Sequence, residues 1–142
     1  MSKFLDIADA MKTAIESVVE TTDIKVVVDR QSNLQSHFDQ HIGKVKAGVA
    51  IIKFNSSSST SDDAEGPRMN GKYTITIVGY AVLRAGKTLL DDIVETICKK
   101  LHHWKDVTTN HCQNEAYVTN LQVVEDGKHI AYQISLKKVI QL

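Results

Sequence analysis

One stretch decides the fold of this chain, and it reads Gly86-Lys87-Thr88-Leu89-Leu90-Asp91-Asp92-Ile93-Val94-Glu95-Thr96-Ile97-Cys98-Lys99-Lys100-Leu101-His102-His103-Trp104. Its apolar residues recur at the i, i+3, i+4 spacing of one helical face. They are Leu90, Ile93, Val94, Ile97, Leu101 and Trp104. Thr88 is a good N-cap, Asp91 and Asp92 follow in the first turn, and basic residues gather at the far end, as the helix dipole favours. The stretch predicts a helix over 86–104 with one buried face.

Helical and strand-like segments flank this helix on both sides. An apolar stripe predicts an amphipathic helix over 3–21. Runs of β-branched and aromatic residues predict strands at 24–29, 45–54, 72–83, 116–125 and 128–139. Asp126-Gly127 is a strong hairpin signal between the last two strands. The order α-β-β-β-α-β-β predicts a single α+β domain over residues 1–142, with a mainly antiparallel sheet and the helices packed on one face.

The segment 30–43 is mostly polar. Its apolar residues are Leu34, Phe38 and Ile42, and their spacing of four allows a helical turn or two. His37 and His41 share that spacing, which could chelate a metal ion. No His-Glu-x-x-His pattern accompanies them, so solvated histidines are the simpler interpretation.

The composition is that of a globular protein of ordinary size. The 142 residues are 42% apolar and 24% charged, with 17 basic and 17 acidic side chains. This balance excludes a strongly basic nucleic-acid-binding domain. Two cysteines make no disulfide framework and favour a reducing compartment. The first residues carry no signal-peptide core, and no apolar run approaches the roughly 20 residues that a membrane helix needs.

The low-complexity tract of the chain is rich in serine and acidic residues and contains its sole proline, Pro67. Such a composition cannot bury enough apolar surface to offset the entropy of its own ordering. We therefore expect a mobile loop at 55–71 that links two strands of the same domain.

The strand predicted at 72–83 carries apolar residues on both of its faces. Tyr73, Ile75 and Ile77 suit a core face. Val78, Tyr80 and Val82 fall on the opposite face, which is less polar than a solvated face should be. If the helices cover one face only, these three residues need another cover. We expect them to form a subunit interface.

A nucleotide site is the first chemical possibility to weigh. Gly86-Lys87-Thr88 opens a helix after a strand, as the end of a P-loop does. That motif needs a glycine at position 81, where Ala81 stands, and Gly79 comes two residues too early. The tripeptide is better explained as a tight turn and a helix cap.

A metal site is the second possibility. Cys98, His102, His111 and Cys112 could supply the four ligands of tetrahedral zinc. The adjacent His111-Cys112 pair is an unusual ligand spacing, and Cys98 lies at the edge of the apolar stripe, so the sequence leaves zinc binding open. The acidic pairs Asp62-Asp63, Asp91-Asp92 and Glu125-Asp126 lie in a loop, a helix cap and a turn. We predict no catalytic residue, no cofactor and no enzymatic activity.

The order of elements resembles that of a known family. It combines an N-terminal amphipathic helix, a long polar loop between strands, the extended strand 72–83, an acid-started helix with Leu90-Asp91-Asp92-Ile93-Val94, and a closing hairpin. In this arrangement the chain is similar to the tail terminator, or tail completion, proteins of tailed phages and related contractile particles. The resemblance covers nearly the whole chain and lies in architecture, without a diagnostic short motif.

The resemblance implies a structural virion protein, a subunit of a homohexameric ring at the head-proximal end of the tail. Such a ring caps the tail tube, ends its polymerisation and joins the tail to the head connector. The implied partners are other copies of the chain, the tail tube protein, the head-tail connector protein and, in contractile tails, the sheath protein. The resemblance implies assembly in the host cytoplasm, no membrane and no specific nucleic-acid binding, although DNA passes through the ring.

Two other classes of function stay open from the residues alone. One is a small zinc- or nucleotide-binding enzyme. The other is an adaptor that binds a peptide along an exposed sheet edge. The sequence does not distinguish a contractile from a non-contractile tail, nor which face of a ring would meet the tube.

Overall fold

The computed structural model describes residues 3–20, 22–30, 34–41, 44, 47–61, 68–80, 89–104, 116–126 and 129–141. Three helices and five strands lie in these ranges. They are α1 (Lys3–Glu16), β1 (Ile24–Asp29), α2 (Leu34–His41), β2 (Gly48–Ser61), β3 (Arg68–Tyr80), α3 (Leu89–Leu101), β4 (Ala116–Asp126) and β5 (His129–Gln141). No helix in this described part has both the length and the apolar character needed to cross a membrane.

The five strands form one sheet in the order β1-β2-β3-β5-β4. β1 and β2 run parallel, and the other three neighbouring pairs are antiparallel. The expected α+β class with a mainly antiparallel sheet is therefore confirmed. The one parallel pair needs a crossover between its strands, and α2 lies in that crossover.

α1 and α3 pack on the same face of the sheet, as predicted. This face, which we call the α1/α3 face, carries the main core. From α3 it buries Leu90, Val94, Ile97 and Leu101, and from α1 it buries Ile7, Ala8, Met11 and Ile15. Alternate strand residues meet these helices because successive side chains of a strand point to opposite faces. They include Ile24, Val26, Ala50, Ile52, Tyr73, Ile75, Ile77, Ile134 and Leu136.

Two contacts tie the ends of this core together. The Tyr73 hydroxyl, at the centre of the sheet, donates a hydrogen bond to the Phe4 carbonyl at 2.8 Å and so fixes the start of α1. Burial raises the pKa of this hydroxyl well above its ordinary value. Lys138 is fully buried, and its Nζ lies 5.8 Å from the centre of the Trp104 ring, in the range of a cation–π contact.

α2 packs on the opposite face, which we call the α2 face. Phe38 is the buried anchor of this helix, and it contacts Val49 and Ile51 of β2. The apolar spacing in 30–43 had allowed a helical turn or two, and the structure contains eight helical residues there. The two long helices share one face as expected, and this third, short helix covers part of the other.

A glycine pair allows the close approach of β2, β3 and α3. Gly48 and Gly79 lie opposite each other in the β2–β3 ladder. A Cβ at Gly79 would come within 2.3 Å of the Ala47 carbonyl oxygen and 3.0 Å of Leu90 Cδ2. Position 79 therefore needs glycine, because the Ala47 carbonyl is a backbone group that cannot easily move away from an added Cβ.

Both long helices end earlier than the sequence predicted. α1 ends at Glu16 and does not extend to residue 21, and Val18 lies outside it with 38% of its surface exposed. The three residues that follow Glu16, namely Ser17, Val18 and Val19, are β-branched or hydroxyl-bearing, which lowers helix propensity. α3 ends at Leu101 and does not extend to residue 104, because His103 adopts a left-handed conformation with φ of 63°. Residues 86–88, the predicted start of α3, lie outside the described ranges.

The stretch 55–71 was expected to be a loop, and this is wrong over most of its length. Residues 55–61 belong to β2 and residues 68–71 to β3, with Ser57 opposite Gly71 and Ser59 opposite Met69. A β-ladder is held by backbone hydrogen bonds, so serine-rich strands can pair without burying apolar side chains. Residues 62–67 lie outside the described residues, and the expected mobility of the stretch stays a prediction.

Candidate subunit interface

Of the three predicted interface residues, Val78 has a described side chain, and it lies on the α2 face, part of which α2 covers. Val78 is half-buried and packs against the cluster of Phe38, Val49 and Ile51. Tyr80 pairs with His129 through its backbone, and Val82 lies outside the described residues. The premise that helices cover one face only is therefore corrected at Val78, while the role of the three residues in subunit contact stays a proposal.

Polar contacts hold α2 on the sheet. The His37 Nε2 atom lies 3.2 Å from the Oδ1 atom of Asp29. Asp29 belongs to β1, and its side chain is fully buried. The Phe38 ring meets the His129 ring edge to face, with centroids 5.0 Å apart. His41, at the other end of the helix, has a lowered pKa because of burial and then the nearby positive charges of Lys25 and Lys44. His37 and His41 therefore have structural surroundings, and the structure pairs His37 with a carboxylate of the sheet.

The α2 face continues beyond α2 as a polar surface. A groove of about 360 Å³ is bordered there by Asn55, Lys72, Thr74, Thr119, Ser135 and Lys137. The Asn55 amide donates a hydrogen bond to the Thr74 hydroxyl across the strands. Among the described residues lining the groove there is no carboxylate, imidazole or thiol. The groove offers ammonium, amide and hydroxyl groups, which can bind polar partners.

The most exposed apolar residues of the described chain lie on β4, at the edge of the sheet. Leu121 is 46% exposed, Val123 52% and Val124 59%. Leu121 and Val123 lie opposite Ile134 and Tyr132 on the α1/α3 face, whereas Val124 points to the α2 face. Apolar side chains on both faces of an exposed edge strand are unusual in a monomer, because such edges invite pairing with another chain.

The first residues of β4 are capped by residues 102–104, which follow the end of α3. His103 N–H donates to the Ala116 carbonyl at 2.7 Å, and Ala116 N–H donates to the Trp104 carbonyl at 2.8 Å. Val118 N–H donates to His102 Nδ1 at 3.2 Å. A bulge follows between Val118 and Asn120. The left-handed His103 thus turns the chain onto the outer side of β4, and this cap ends before Leu121.

The candidate metal ligands do not form a site in the described part of the chain. Cys98 is half-buried against the α1/α3 core, and this burial raises the pKa of its thiol. His102 accepts the hydrogen bond from Val118, and its ring packs against those of His103 and Tyr117. His111 and Cys112 lie outside the described residues. Among those described, no group of three or more His, Cys, Asp and Glu side chains could hold a metal ion.

The acidic pairs also have structural surroundings where the chain is described. Asp91 accepts a hydrogen bond from the Tyr132 hydroxyl, which ties the first turn of α3 to β5. Asp92 lies in the same turn, and its carbonyl accepts a hydrogen bond from the Thr96 hydroxyl at 2.9 Å. Asp62 and Asp63 lie outside the described residues, as do Lys87 and Thr88 of the possible nucleotide motif.

Comparisons with known proteins identify this fold. Neither a protein-family model nor a curated protein sequence matches the chain. A chain from the virion of a native gene transfer agent particle aligns over 100% of both chains, with a TM-score of 0.62 at 11% identity. A second solved structure aligns over 100% of this chain and 97% of its own, with a TM-score of 0.56 at 12% identity. The PVC sheath/tube terminator of an extracellular contractile injection system aligns over 57% of its length, with a TM-score of 0.48 at 11% identity.

The first two alignments show a shared fold, and at 11 and 12% identity they show the fold alone. The third, with its TM-score of 0.48, carries no argument. The chain has the fold of a virion component over its entire length. The expected α+β fold is thereby found in a virion chain, and membership of the tail terminator family stays a proposal.

Proposed function

We propose that this chain is a structural protein of the tail of a phage or phage-like particle, and within the tail a terminator. In this role it is a ring subunit that caps the head-proximal end of the tail tube, ends tube polymerisation and joins the tail to the head connector. The observation that carries the proposal is the alignment with a gene transfer agent virion chain over 100% of both chains. The two chains share the whole fold, and not a fragment that many proteins would contain.

The surface of the chain supports an assembling subunit. β4 exposes Leu121, Val123 and Val124 at the edge of the sheet, and identical subunits commonly bury such patches in closed rings. The described candidates for chemistry have structural surroundings, as shown for Cys98 and Asp91. We therefore assign the chain no catalytic role and no cofactor.

The partners and the copy number come from the family resemblance. They are six copies of this chain, the tail tube protein, the head-tail connector protein and, in a contractile tail, the sheath protein. The ring would assemble in the host cytoplasm and remain in the virion, with DNA passing through it without specific recognition.

Tube capping tests this function directly. Tail tube protein from the same particle is polymerised with and without this chain, and tube lengths are measured by electron microscopy. We expect rings at one end of each tube and shorter tubes as the ratio of terminator to tube protein rises. Native mass spectrometry of the chain alone gives the copy number. Unchanged tube lengths together with unoccupied tube ends would exclude the terminator role.

We also propose that Val78, Tyr80 and Val82 contribute to the subunit contact. Val78 is partly covered by α2 within the subunit, so replacing it would disturb the core. The test therefore uses Tyr80→Asp with Val82→Asp and leaves Val78 unchanged. We expect a folded monomer by circular dichroism and native mass spectrometry. A variant that still forms rings would remove these two residues from the interface.

A second candidate function is favoured by the exposed edge of β4. An adaptor could bind an extended peptide there by strand addition. The two functions differ in solution, because an adaptor can act as a monomer, whereas a terminator should form rings at high concentration or on tube ends. A monomer that binds a tube-protein peptide but leaves tube length unchanged would favour the adaptor.

A further inference from the structure

The sheet has one strand edge on its β4 side that is not paired within the described chain. β4 bonds only to β5 among the described strands, and its first residues are capped by 102–104. The backbone groups of Ala116 and Val118 bond to residues 102–104 and therefore point away from β5. Along a strand, successive residues direct their backbone N–H and C=O groups to alternate sides. After the bulge, this alternation directs the backbone groups of Leu121, Val123 and Glu125 away from β5. We call these three residues the β4 edge.

A second edge of this kind lies on the opposite side of the sheet. β1 pairs with β2 only as far as Asp29 opposite Lys53. Residues 55–61 of β2, which we call the β2 extension, run past the end of β1 and pair only with β3 among the described strands. By the same alternation the backbone groups of Ser57 and Ser59 point away from β3. One copy of the chain therefore carries two different edges, one on each side of its sheet.

The two edges fit each other in direction and in face. β4 runs antiparallel to β5, β5 antiparallel to β3, and β3 antiparallel to β2. A β4 edge placed beside the β2 extension of a second copy, with the strand axes kept aligned, is therefore antiparallel to it, which is the more favourable pairing. Ser57 is the register partner of Gly71, Gly71 that of Lys138, and Lys138 that of Ala116, so the four residues form one row across the sheet. Ser57 thus shares the α1/α3 face with Leu121, so that face would continue from copy to copy.

The position of the edges along the strands determines the shape of the assembly. Within one copy, the register places Val123 of β4 in the same row across the sheet as Ala50 of β2. Ser58, at the centre of the β2 extension that Val123 of the next copy would meet, lies eight residues beyond Ala50 along β2. At ~3.3 Å per residue this offset is about 26 Å, against a width of about 19 Å for the four strands β2, β3, β5 and β4 that would repeat from copy to copy at a spacing of ~4.8 Å. The strands would then be inclined by about 54° to the axis of the assembly, more steeply than the ~35–45° of closed β-barrels.

We propose that neighbouring copies join by antiparallel pairing of the β4 edge of one copy with the β2 extension of the next, giving a ring with a continuous sheet. The partner is a second copy of this chain, since the chain supplies both edges and their directions match. Because the two edges differ, the contact is heterologous, as ring closure requires. This inference rests on the proposed ring function and names the surfaces that build the ring.

Engineered disulfides test the pairing. Because side chains of both edges must keep their faces, the register can slip only in steps of two residues. The backbone N–H and C=O of Ser58 point towards β3. In the proposed pairing Ser58 would lie opposite Gln122 or Val124 of the next copy, within the distance that a disulfide spans. The variants are Ser58→Cys with Gln122→Cys and Ser58→Cys with Val124→Cys, in a background carrying Cys98→Ala and Cys112→Ser. We expect oxidation to give a ladder of linked chains up to the full ring with one of these pairs, and no ladder with any single cysteine.

The outcomes separate this inference from the proposed function. Rings that cap tubes but form no disulfide with either pair would overturn the edge pairing and leave the terminator role intact. Linked dimers from Gln122→Cys or Val124→Cys alone would show β4 pairing with itself across a two-fold axis, which also overturns it. A chain that neither forms rings nor caps tubes would overturn the proposed function and this inference with it.

Two proline variants provide a matched second test. The Val123 N–H points away from the sheet, whereas the Gln122 N–H points into the ladder with β5. Proline is tolerated at an edge position whose N–H faces outward. We expect Val123→Pro to fold as a monomer with the secondary structure of the parent chain, and Gln122→Pro to lower the melting temperature of the isolated subunit. A folded Val123→Pro variant that still forms rings would contradict the proposal.

Discussion

Replacing Ile97 by alanine should measure how strongly α3 is docked on the sheet. Ile97 lies in the middle of the helix with none of its surface exposed, and it belongs to the α1/α3 core. The substitution removes three carbon atoms, which at ~0.8 kcal/mol each amounts to about 2.4 kcal/mol of lost burial. The cavity that remains adds to this, so we expect a total loss of about 3–4 kcal/mol, within the ~2–5 kcal/mol found for such core truncations.

The assay is urea unfolding, followed by the fluorescence of Trp104. This residue is the only tryptophan of the chain, and it is half-buried against the core near the end of α3. The loss should appear as a lower urea midpoint at an unchanged slope. In thermal unfolding, a protein of this length should lose about 3–4 °C per kcal/mol, hence about 10–15 °C in melting temperature.

Two further variants of α3 serve as controls. Ile97→Val should lose about 0.5–1.5 kcal/mol, because it removes a single methyl group from the same site. Lys100→Ala lies on the exposed side of the same helix and should stay within about 0.5 kcal/mol of the parent chain. If Ile97→Ala unfolded at the same urea concentration as Lys100→Ala, α3 could not be packed on the sheet as described.

Three other predictions follow from single features of the structure, and a fourth follows from the composition of the sequence. Tyr73→Phe removes the hydroxyl that donates to the Phe4 carbonyl and should lower the free energy of unfolding at pH 7 by about 1 kcal/mol. Burial raises the pKa of this hydroxyl above its ordinary 10.0. Its stabilising contribution is therefore complete below pH 10 and is lost as the pH rises further. In urea titrations, the free energy of unfolding of the variant should fall less steeply at alkaline pH than that of the parent chain. Gly79→Ala should lower stability by about 1–3 kcal/mol in the same assay, since its Cβ would meet the Ala47 carbonyl oxygen at 2.3 Å, and equal stability would disprove this contact. Cys98 should react with a disulfide reagent far more slowly than a free thiol at pH 8, because burial raises its pKa; this is measured in a Cys112→Ser background, with the rate in urea as the reference. The acidic composition of Asp62-Asp63-Ala64-Glu65-Gly66-Pro67 predicts that a glutamate-specific protease cuts first after Glu65, and mass spectrometry of a first cut elsewhere would contradict it.

Local patterns in the sequence were sufficient for the elements whose signals agree. In α3, the apolar stripe from Leu90 to Leu101 and the acidic first turn point to the same helix, and the structure buries the predicted face. β1 has the predicted bounds, Ile24–Asp29, because a short β-branched run has few alternatives. The Asp126-Gly127 signal likewise placed the hairpin between β4 and β5.

Other features depend on neighbours that are distant in the sequence. Residues 55–61 become a strand because β3 offers them a ladder of backbone partners, which no composition rule records. α2 is stable on the sheet because Phe38 meets Val49 and Ile51, and because Asp29 of β1 faces His37. A short helix is marginal by its own propensity, so tertiary packing decides whether it forms.

For the candidate interface too, the sequence determined some features and the tertiary structure determined others. An excess of apolar residues on strand faces is visible in the sequence, and it led to Val78 as part of an interface. Only the sheet order determines that Val78 lies on an inner strand under α2, while Leu121, Val123 and Val124 lie on the exposed edge. Strand order is set by pairings between segments far apart in the chain, whereas periodicity reports only which residues share a face. The sequence therefore determined the elements and their apolar faces, and the tertiary structure decided which of those faces and edges remain open to a partner.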